Sequence, residues 1–399
     1  MNINLTQLVG ITEKKVKTII GLMSGTSLDG LDVALCKIEG NGKNTILTLS
    51  QFTTVPYDDD FKNEVRSIFS KEEVSLPRLC LLNEWIGKQH AAIINECLLQ
   101  WKMNSSEIDL IASHGQSIYH APLSLHGLKK YGNGTLQIGD GDHIAVNTGI
   151  ITISDFRQKH VAAGGEGAPL AAYGDYLLFK EDNADVILLN IGGIANFTFL
   201  PANAADGTMF SSDTGPGNTM MDAWTQQNFS GKFYDKDAAV AKEGTVNEEL
   251  LKCLLQNDFL QKQLPKTTGP ELFNLIYLEN AKQIAGVTNL SVEDTMATLN
   301  RFSGQTIAEA IKPLIKDKPC NIYVSGGGMH NPVLMNYLNK QLKGAAIFST
   351  IEKNINPDAK EAILFAILAN ECICGNPADF LSGINNFPAI SMGKISFPY

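Results

Sequence analysis

Apolar positions along the chain come in short runs, each stopped by a polar or glycine-rich turn. Residues 17–24 alternate weakly and end at a turn, and residues 31–38 and 45–52 continue as apolar runs. The 39–44 segment between the latter two holds two Gly and two Asn. This predicts a three-stranded antiparallel meander with an unusual turn at its first corner. Helical periodicity follows over 60–70 and 78–103, the second ending at Trp101. Residues 108–113 read as a buried strand running into His114-Gly115-Gln116, and 144–154 as a further apolar stretch stopped by Asp155-Phe156-Arg157.

Beyond residue 160 the pattern restarts. Residues 185–192 and 194–200 predict a strand, a Gly-Gly turn and a second strand. Helical patterns cover 218–228, 246–256, 271–285 and 291–316. A strand at 321–324 runs into Ser325-Gly326-Gly327-Gly328, with helices at 331–342 and 358–373. The two halves share an outline but no clear repeat. Strand and helix alternating twice over point to two α/β domains flanking a cleft.

Composition narrows the class. A chain of 399 residues exceeds one typical domain. The formal charge of −10 argues against nucleic acid or an anionic membrane as the main partner, while leaving room for a local small-anion site. Cysteines at 36, 80, 97, 253, 320, 372 and 374 are odd in number and scattered, which favours reduced core thiols over a metal site. No run approaches the ~18 apolar residues of a membrane span. The N-terminus lacks a cationic start with an apolar core, so the expectation is a cytoplasmic protein with a short extension.

Four turns carry candidate chemistry. Gly25-Thr26-Ser27-Leu28-Asp29-Gly30 holds more donors than a hairpin requires. Its glycines let backbone N–H groups converge on an anion, its hydroxyls add donors, and Asp29 could hold Mg²⁺ through water. A decorated hairpin is the plain alternative, and no GxxxxGK[ST] loop occurs. Asn190-Ile191-Gly192-Gly193 is the second turn. Asp213-Thr214-Gly215-Pro216-Gly217-Asn218, ahead of a helix, is the third; each could equally be structural. Ser325 to Asn331, with three consecutive glycines, would let a flat ligand approach closely or simply pack strand on helix. Asp155 at a strand end is placed for general-base work; the alternatives are a helix cap or an ion pair with Arg157. His114, Gln116 and His120 offer donors beside another strand end.

Taken together, these turns resemble the actin-like ATPase superfamily of sugar kinases, heat-shock ATPases and actin. More specifically, the segment from Gly21 to Gly30 resembles the opening signature of the anhydro-N-acetylmuramic acid kinase family. So do His114-Gly115-Gln116 with His120 and Pro122, Gln137-Ile138-Gly139-Asp140-Gly141, and Ser154-Asp155-Phe156-Arg157 before Gly164-Gly165-Glu166-Gly167-Ala168-Pro169-Leu170. The third turn before Met221-Asp222-Ala223-Trp224, Tyr234-Asp235-Lys236-Asp237, Thr268-Gly269 with Glu271-Leu272-Phe273, and the triple-glycine segment complete the match. It spans about residues 17–370 in the family's order. The extension 1–15, Glu166 in place of a frequent Gln, and the tail from Asn385 to Ile390 depart from the pattern.

The resemblance implies two actin-like (ribonuclease H-like) α/β domains around an interdomain nucleotide cleft. Residues 16–160 would form the first and 161–399 the second, with the C-terminal segment free to cross back. It implies ATP and Mg²⁺, a small amino sugar, and no nucleic-acid or membrane partner; a homodimer stays open. ATP would meet Gly25, Thr26, Ser27, Leu28, Asp29, Gly30, Leu31 and Asp32, then Asn190, Gly192, Gly193, Asp213, Gly215, Gly217 and Asn218. Gly326, Gly327, Gly328 and Asn331 would pack on adenosine. The sugar would meet Ser24, His114, Gln116 and Arg157, the metal Asp29 and Glu361, and Asp155 would be the base. The implied reaction is ATP-dependent opening of a 1,6-anhydro sugar. A kinase for another sugar and a non-catalytic ATP-binding module are the alternatives, although a chaperone's β-domain and helical lid are absent from the sequence.

Overall fold

The computed structural model of the chain describes residues 2–168, 170–203, 208–269, 271–315, 318–353, 356, 358–376, 388 and 390–399. Pro169 and tail positions 385–387 and 389 lie outside the described residues. Strands, numbered along the chain, are β1 (Val16–Ser24), β2 (Gly30–Glu39), β3 (Ile46–Pro56), β4 (Leu110–Ala121), β5 (Gly134–Ile138), β6 (Thr152–Ser154), β7 (Asp185–Ile191), β8 (Ile194–Leu200), β9 (Phe210–Pro216), β10 (Cys320–Ser325), β11 (Ala345–Ser349) and β12 (Lys394–Ser396).

The chain forms two compact units, Met1–Leu178 with Asn354–Tyr399, and Phe179–Lys353. The first therefore runs past residue 160 and takes back the C-terminal stretch. The cause is pairing: β12 lies antiparallel on β6, joining the chain's end to the first sheet.

Among its described residues, the first unit's sheet has the order β12-β6-β4-β1-β2-β3, with β5 on β4. The predicted meander is present, β1 antiparallel to β2 and β2 to β3, while β4 runs parallel to β1 and β6 parallel to β4. Helix Leu76–Trp101 starts at its Ser75 cap with Pro77 in the first turn and ends at left-handed Lys102. Its Leu82, Ile86, Ile94 and Leu98 join Ile20, Leu22, Leu31, Val33 and Ile111 in a buried core. Helix Lys360–Cys374 is buried along most of its length. It comes so close to β1 that a Cβ on Gly21 would lie 1.9 Å from the Ala362 carbonyl oxygen.

The second unit's sheet has the order β11-β10-β7-β8-β9. β7, β8 and β9 form an antiparallel meander, and β10 and β11 run parallel to β7. Both sheets thus carry a three-strand meander continued by parallel strands on its first strand. This is the doubled, ribonuclease H-like α/β architecture expected from the resemblance.

Several expectations shift at their edges. The 144–154 stretch is two elements: helix Gly141–Thr148, capped by Asp140 and stopped at left-handed Gly149, and then β6. The 291–316 helix ends as Val292–Ile311, where a 3₁₀ turn containing Pro313 takes over. The extension contains a helix, Ile3–Thr12, with Asn2 capping the Asn4 N–H and the Asn4 side chain donating to the Tyr399 carbonyl.

Candidate active site

In an open α/β sheet, ligands sit beyond the carboxyl ends of the parallel strands. In the first unit the ends of β1 and β6 deliver Ser24 with the following turn and Asp155, whereas His114 to Gln116 lie inside β4, where its parallel pairing with β1 ends, and not at a strand end as the sequence suggests. Ser24 pairs in register with Gln116, and Ser113 with Ser154, so the candidates gather along one edge.

The 25–29 turn is anchored by Leu28. That residue is left-handed (φ 61), unusual for a bulky side chain, and only 2% exposed in the core. With Leu28 pulled inward, Thr26, Ser27 and Asp29 remain exposed. Tyr57 N–H donates to the Asp29 carbonyl over 3.2 Å and ties the turn to the end of β3. Gly30 has its own constraint, because a Cβ there would meet the Val55 carbonyl oxygen at 2.4 Å.

Beneath the turn lies a buried polar chain. Ser24 Oγ donates to Gln116 Oε1 at 2.5 Å, and Tyr57 Oη donates to Ser24 Oγ at 2.8 Å. Tyr57 Oη also lies 3.0 Å from His90 Nε2. Burial lowers the His90 pKa to about 4, so the ring is neutral. His114 is pushed down to about 3, first by burial and then by Arg157. Arg157 Nε donates to His114 Nε2 at 3.0 Å and Nη1 donates to the Gly167 carbonyl at 2.7 Å. Ser24 and Gln116 thus bond to each other inside the unit, whereas His114 reaches a cavity.

Asp155 stands at the N-cap of helix Phe156–Ala162 but makes no side-chain capping bond, and its backbone is left-handed (φ 53, ψ 47). Its ion pair is with Lys394 rather than Arg157. Both structural alternatives raised by the sequence are therefore unmet. Strain of this kind persists where surrounding structure imposes it and clusters at functional sites. A cavity of about 370 Å³ opens beside it, lined by His114, Gln137, Asp140, Asp142, Asp155 and Lys394 among others.

Carboxylates gather near the turn. Burial raises the Asp32 pKa against a 2.5 Å hydrogen bond from Thr54, with Asp358 and Asp29 adding to the rise. Glu361 is accessible to solvent yet crowded by protein, and its pKa is raised by desolvation first and then by Asp32. Mutual repulsion of this kind is relieved by a cation. Among the described residues no group of three His, Cys, Asp or Glu side chains forms a metal cage. Mg²⁺ needs only one or two carboxylates alongside phosphates and water, so the residues present suit it.

In the second unit, the ends of β7 and β10 bring Asn190 level with Ser325. Asp213 to Pro216, expected as a turn, are the last four residues of β9, and only Gly217 and Asn218 lead into the helix. Asn218 Nδ2 donates to the Ile191 carbonyl at 3.2 Å, and its backbone N–H to the Gly192 carbonyl at 2.8 Å, locking the end of β9 to the second turn. A Cβ on Gly217 would meet the Gly192 carbonyl oxygen at 2.2 Å. Gly215 packs near Thr306, and Asp213 accepts from Thr268 N–H at 2.8 Å. The triple glycine divides by role. A Cβ on Gly326 would meet Asn190 and Ile191, and one on Gly328 would lie 2.2 Å from Ile191; on Gly327 the nearest atom is 3.7 Å away. Asn331 caps the helix Pro332–Gln341, accepting from Leu334 N–H.

Gly327, Asn331 and Asn218 border a cavity of about 650 Å³ that Met221, Asp222, Phe233, Tyr234 and His330 also line. Burial pushes the Asp222 pKa up to about 6. Asp237 and Ala238, beside this cavity, are both left-handed. Asp222 and Tyr234 are legible in the sequence only as parts of family motifs, and Phe233 and Lys394 are not legible there. No local pattern marks those two.

All seven cysteines are free. No helix among the described residues is long and apolar enough to cross a membrane.

The chain is similar to known proteins along its full length. It is 54% identical over 400 residues to the anhydro-N-acetylmuramic acid kinase of Pseudoalteromonas atlantica, covering all of both chains. It is 36% identical over 395 residues to the anhydro-N-acetylmuramic acid kinase of Caldanaerobacter subterraneus, covering 98% of this chain and 100% of that one. Among solved structures, a ROK family glucokinase from Streptomyces griseus in complex with glucose and AMPPNP aligns at 11% identity and TM-score 0.34, over 88% of this chain and 98% of that chain. The family model for anhydro-N-acetylmuramic acid kinase matches residues 17–398. The span thus runs from the start of β1 through β12, taking in every turn described above, and the chain belongs to the anhydro-N-acetylmuramic acid kinase family of enzymes.

Proposed function

We propose that this enzyme uses ATP and water to convert 1,6-anhydro-N-acetylmuramic acid to N-acetylmuramic acid 6-phosphate and ADP, a step of cell-wall recycling in the cytoplasm. The observation that carries this reading is Asp155, whose carboxylate, at a parallel-strand end, is turned away from its own helix and toward a cavity.

In the reaction, Asp155 takes a proton from water as the water oxygen bonds to the anomeric carbon. The bond from that carbon to the bridging oxygen breaks, leaving its electron pair on O6. O6 bonds to the γ-phosphorus, the bond to the β-phosphate bridge breaks, and ADP departs; the proton on Asp155 returns to solvent. No carboxylic acid has to protonate O6, because phosphorylation absorbs its charge. A positioned base contributes ~10²–10⁴-fold.

The exposed donors of residues 25–32 would meet the β- and γ-phosphates, joined by Asn190, Gly192, Gly193, Asp213 and Asn218. Gly327, with the most open surroundings of the three glycines, would lie against adenosine in the larger cavity. Asp29 and Glu361 would hold Mg²⁺ through its waters; when bound, the ion neutralises phosphate charge. Arg157 and His114 would contact the sugar, with Ser24 and Gln116 holding the turn above them.

The test is a reaction run in ¹⁸O-water with product mass spectrometry. Label belongs on the anomeric hydroxyl and not in the phosphate. Label in the phosphate would mean that water attacks ATP, and would overturn the reading. Asp155→Asn should lower turnover by roughly 10³-fold while binding of both ligands survives.

A further inference from the structure

Lys394 is not part of that reading, yet it is the side chain that holds Asp155. It opens β12, and its register partner in β6 is Ser154, one residue before Asp155. Strand pairing thereby sets the ammonium against Oδ2 of the carboxylate. No hydrogen bond to Oδ1 forms among the described residues. Both residues line the cavity that His114 also reaches.

The pair is poorly placed to be a stability device. The Lys394 side chain is 65% accessible and that of Asp155 25%. Exposed ion pairs add little to folding. Geometry is what such a contact can supply. The carboxylate of an aspartate rotates broadly about its last torsion, and one that does not cap its helix has nothing else to stop it. Small misplacements of a reacting group are costly in rate.

We propose that Lys394 is a positioning residue: its ammonium holds Oδ2 of Asp155 so that Oδ1 is the atom that accepts the proton of the reacting water. The inference rests on the reading of Asp155 as the base. It brings the C-terminal strand, whose preceding tail departs from the family pattern, into the catalytic arrangement.

The test compares Lys394→Met and Lys394→Arg, each made alone, with Lys394→Met also placed on Asp155→Asn. Turnover, KM for both substrates and Tm are measured for every protein. Lys394→Met should lower kcat by ~10²-fold, with KM for ATP and Tm unchanged, and Lys394→Arg should recover most of the loss. On Asp155→Asn, Lys394→Met should cost no further factor beyond about two, because the two residues act as one unit. Wild-type kcat in Lys394→Met beside an inactive Asp155→Asn overturns the positioning role alone. An equal loss in both backgrounds also overturns it, since Lys394 would then act directly on the substrate. Near-wild-type turnover in Asp155→Asn itself overturns the base reading first.

Discussion

Arg157 Nε donates to Nε2 of His114 over 3.0 Å, so the imidazole accepts at that nitrogen and carries its one proton on Nδ1. A second proton on the ring would face the guanidinium inside the protein. Burial and the Arg157 charge together place the His114 pKa at about 3, and burial alone places His90 at about 4. These two neutral rings each contribute to the acid response of the fold.

Below pH ~6.5 the unfolded chain takes up protons on these histidines that the folded chain refuses. The stability these rings contribute is therefore full above that pH and is lost as pH falls toward about 4 for His90 and about 3 for His114. Between pH 7 and 5 each ring should cost roughly 2 kcal/mol. Urea unfolding of the wild type and of His90→Gln at both values checks this. The variant's drop should be smaller by about the share of one ring, and identical drops would refute the account.

Gly21 tests the packing behind the 25–29 turn. Its added Cβ would strike backbone, the Ala362 carbonyl oxygen at 1.9 Å and its carbon at 2.9 Å, so no side-chain rotation relieves the clash. Gly21→Ala should destabilise by about 3 kcal/mol or more, the upper part of the overpacking range. Thermal melting within a degree or two of wild type would show that helix Lys360–Cys374 is free to move away from β1.

Within the triple glycine, two substitutions should behave differently. Gly328→Val drives atoms into Ile191 and should lower Tm. Gly327→Val has open space, so the protein should fold normally. Its isopropyl group would stand in the 650 Å³ cavity. ATP affinity should fall far more than affinity for the sugar, measured by calorimetry with each ligand separately. Equal losses for both ligands would point to a fold defect instead.

Asp29 is exposed on a turn whose shape is held by Leu28 and Tyr57. Asp29→Ala should therefore leave Tm near wild type, since exposed substitutions change stability by ~0.5 kcal/mol or less. At saturating Mg-ATP its kcat should nevertheless drop sharply. Turnover close to wild type under those conditions would remove Asp29 from the proposed Mg²⁺ ligands.

Local chemistry made much of this molecule readable in advance. Short apolar runs ending at glycine turns mark β1, β7 and β10, because a buried strand needs only a few consecutive apolar residues and a stop. Asn331-Pro332 announces the start of a helix through a cap and a first-turn proline that act within a few residues. The family motifs lie on those same turns, which is why the resemblance was visible from residue types and order.

What the sequence could not decide depends on residues brought together from far apart. Lys394 meets Asp155 only because β12 returns to β6, and a three-residue strand has too little periodicity to announce its partner. Gly21 and Ala362 are neighbours only once helix Lys360–Cys374 has packed on β1. Which glycine of 326–328 faces open space depends on where Ile191 and Asn190 stand across the sheet. The apolar stretch 144–154 was divided by a cap at Asp140 and a left-handed Gly149. Residue type and spacing alone therefore determined β1, β2, β3, β7, β8 and β10, and the order of the motifs carried the family resemblance; long-range packing decided which side chains are buried, which are exposed, and which lysine holds the proposed base.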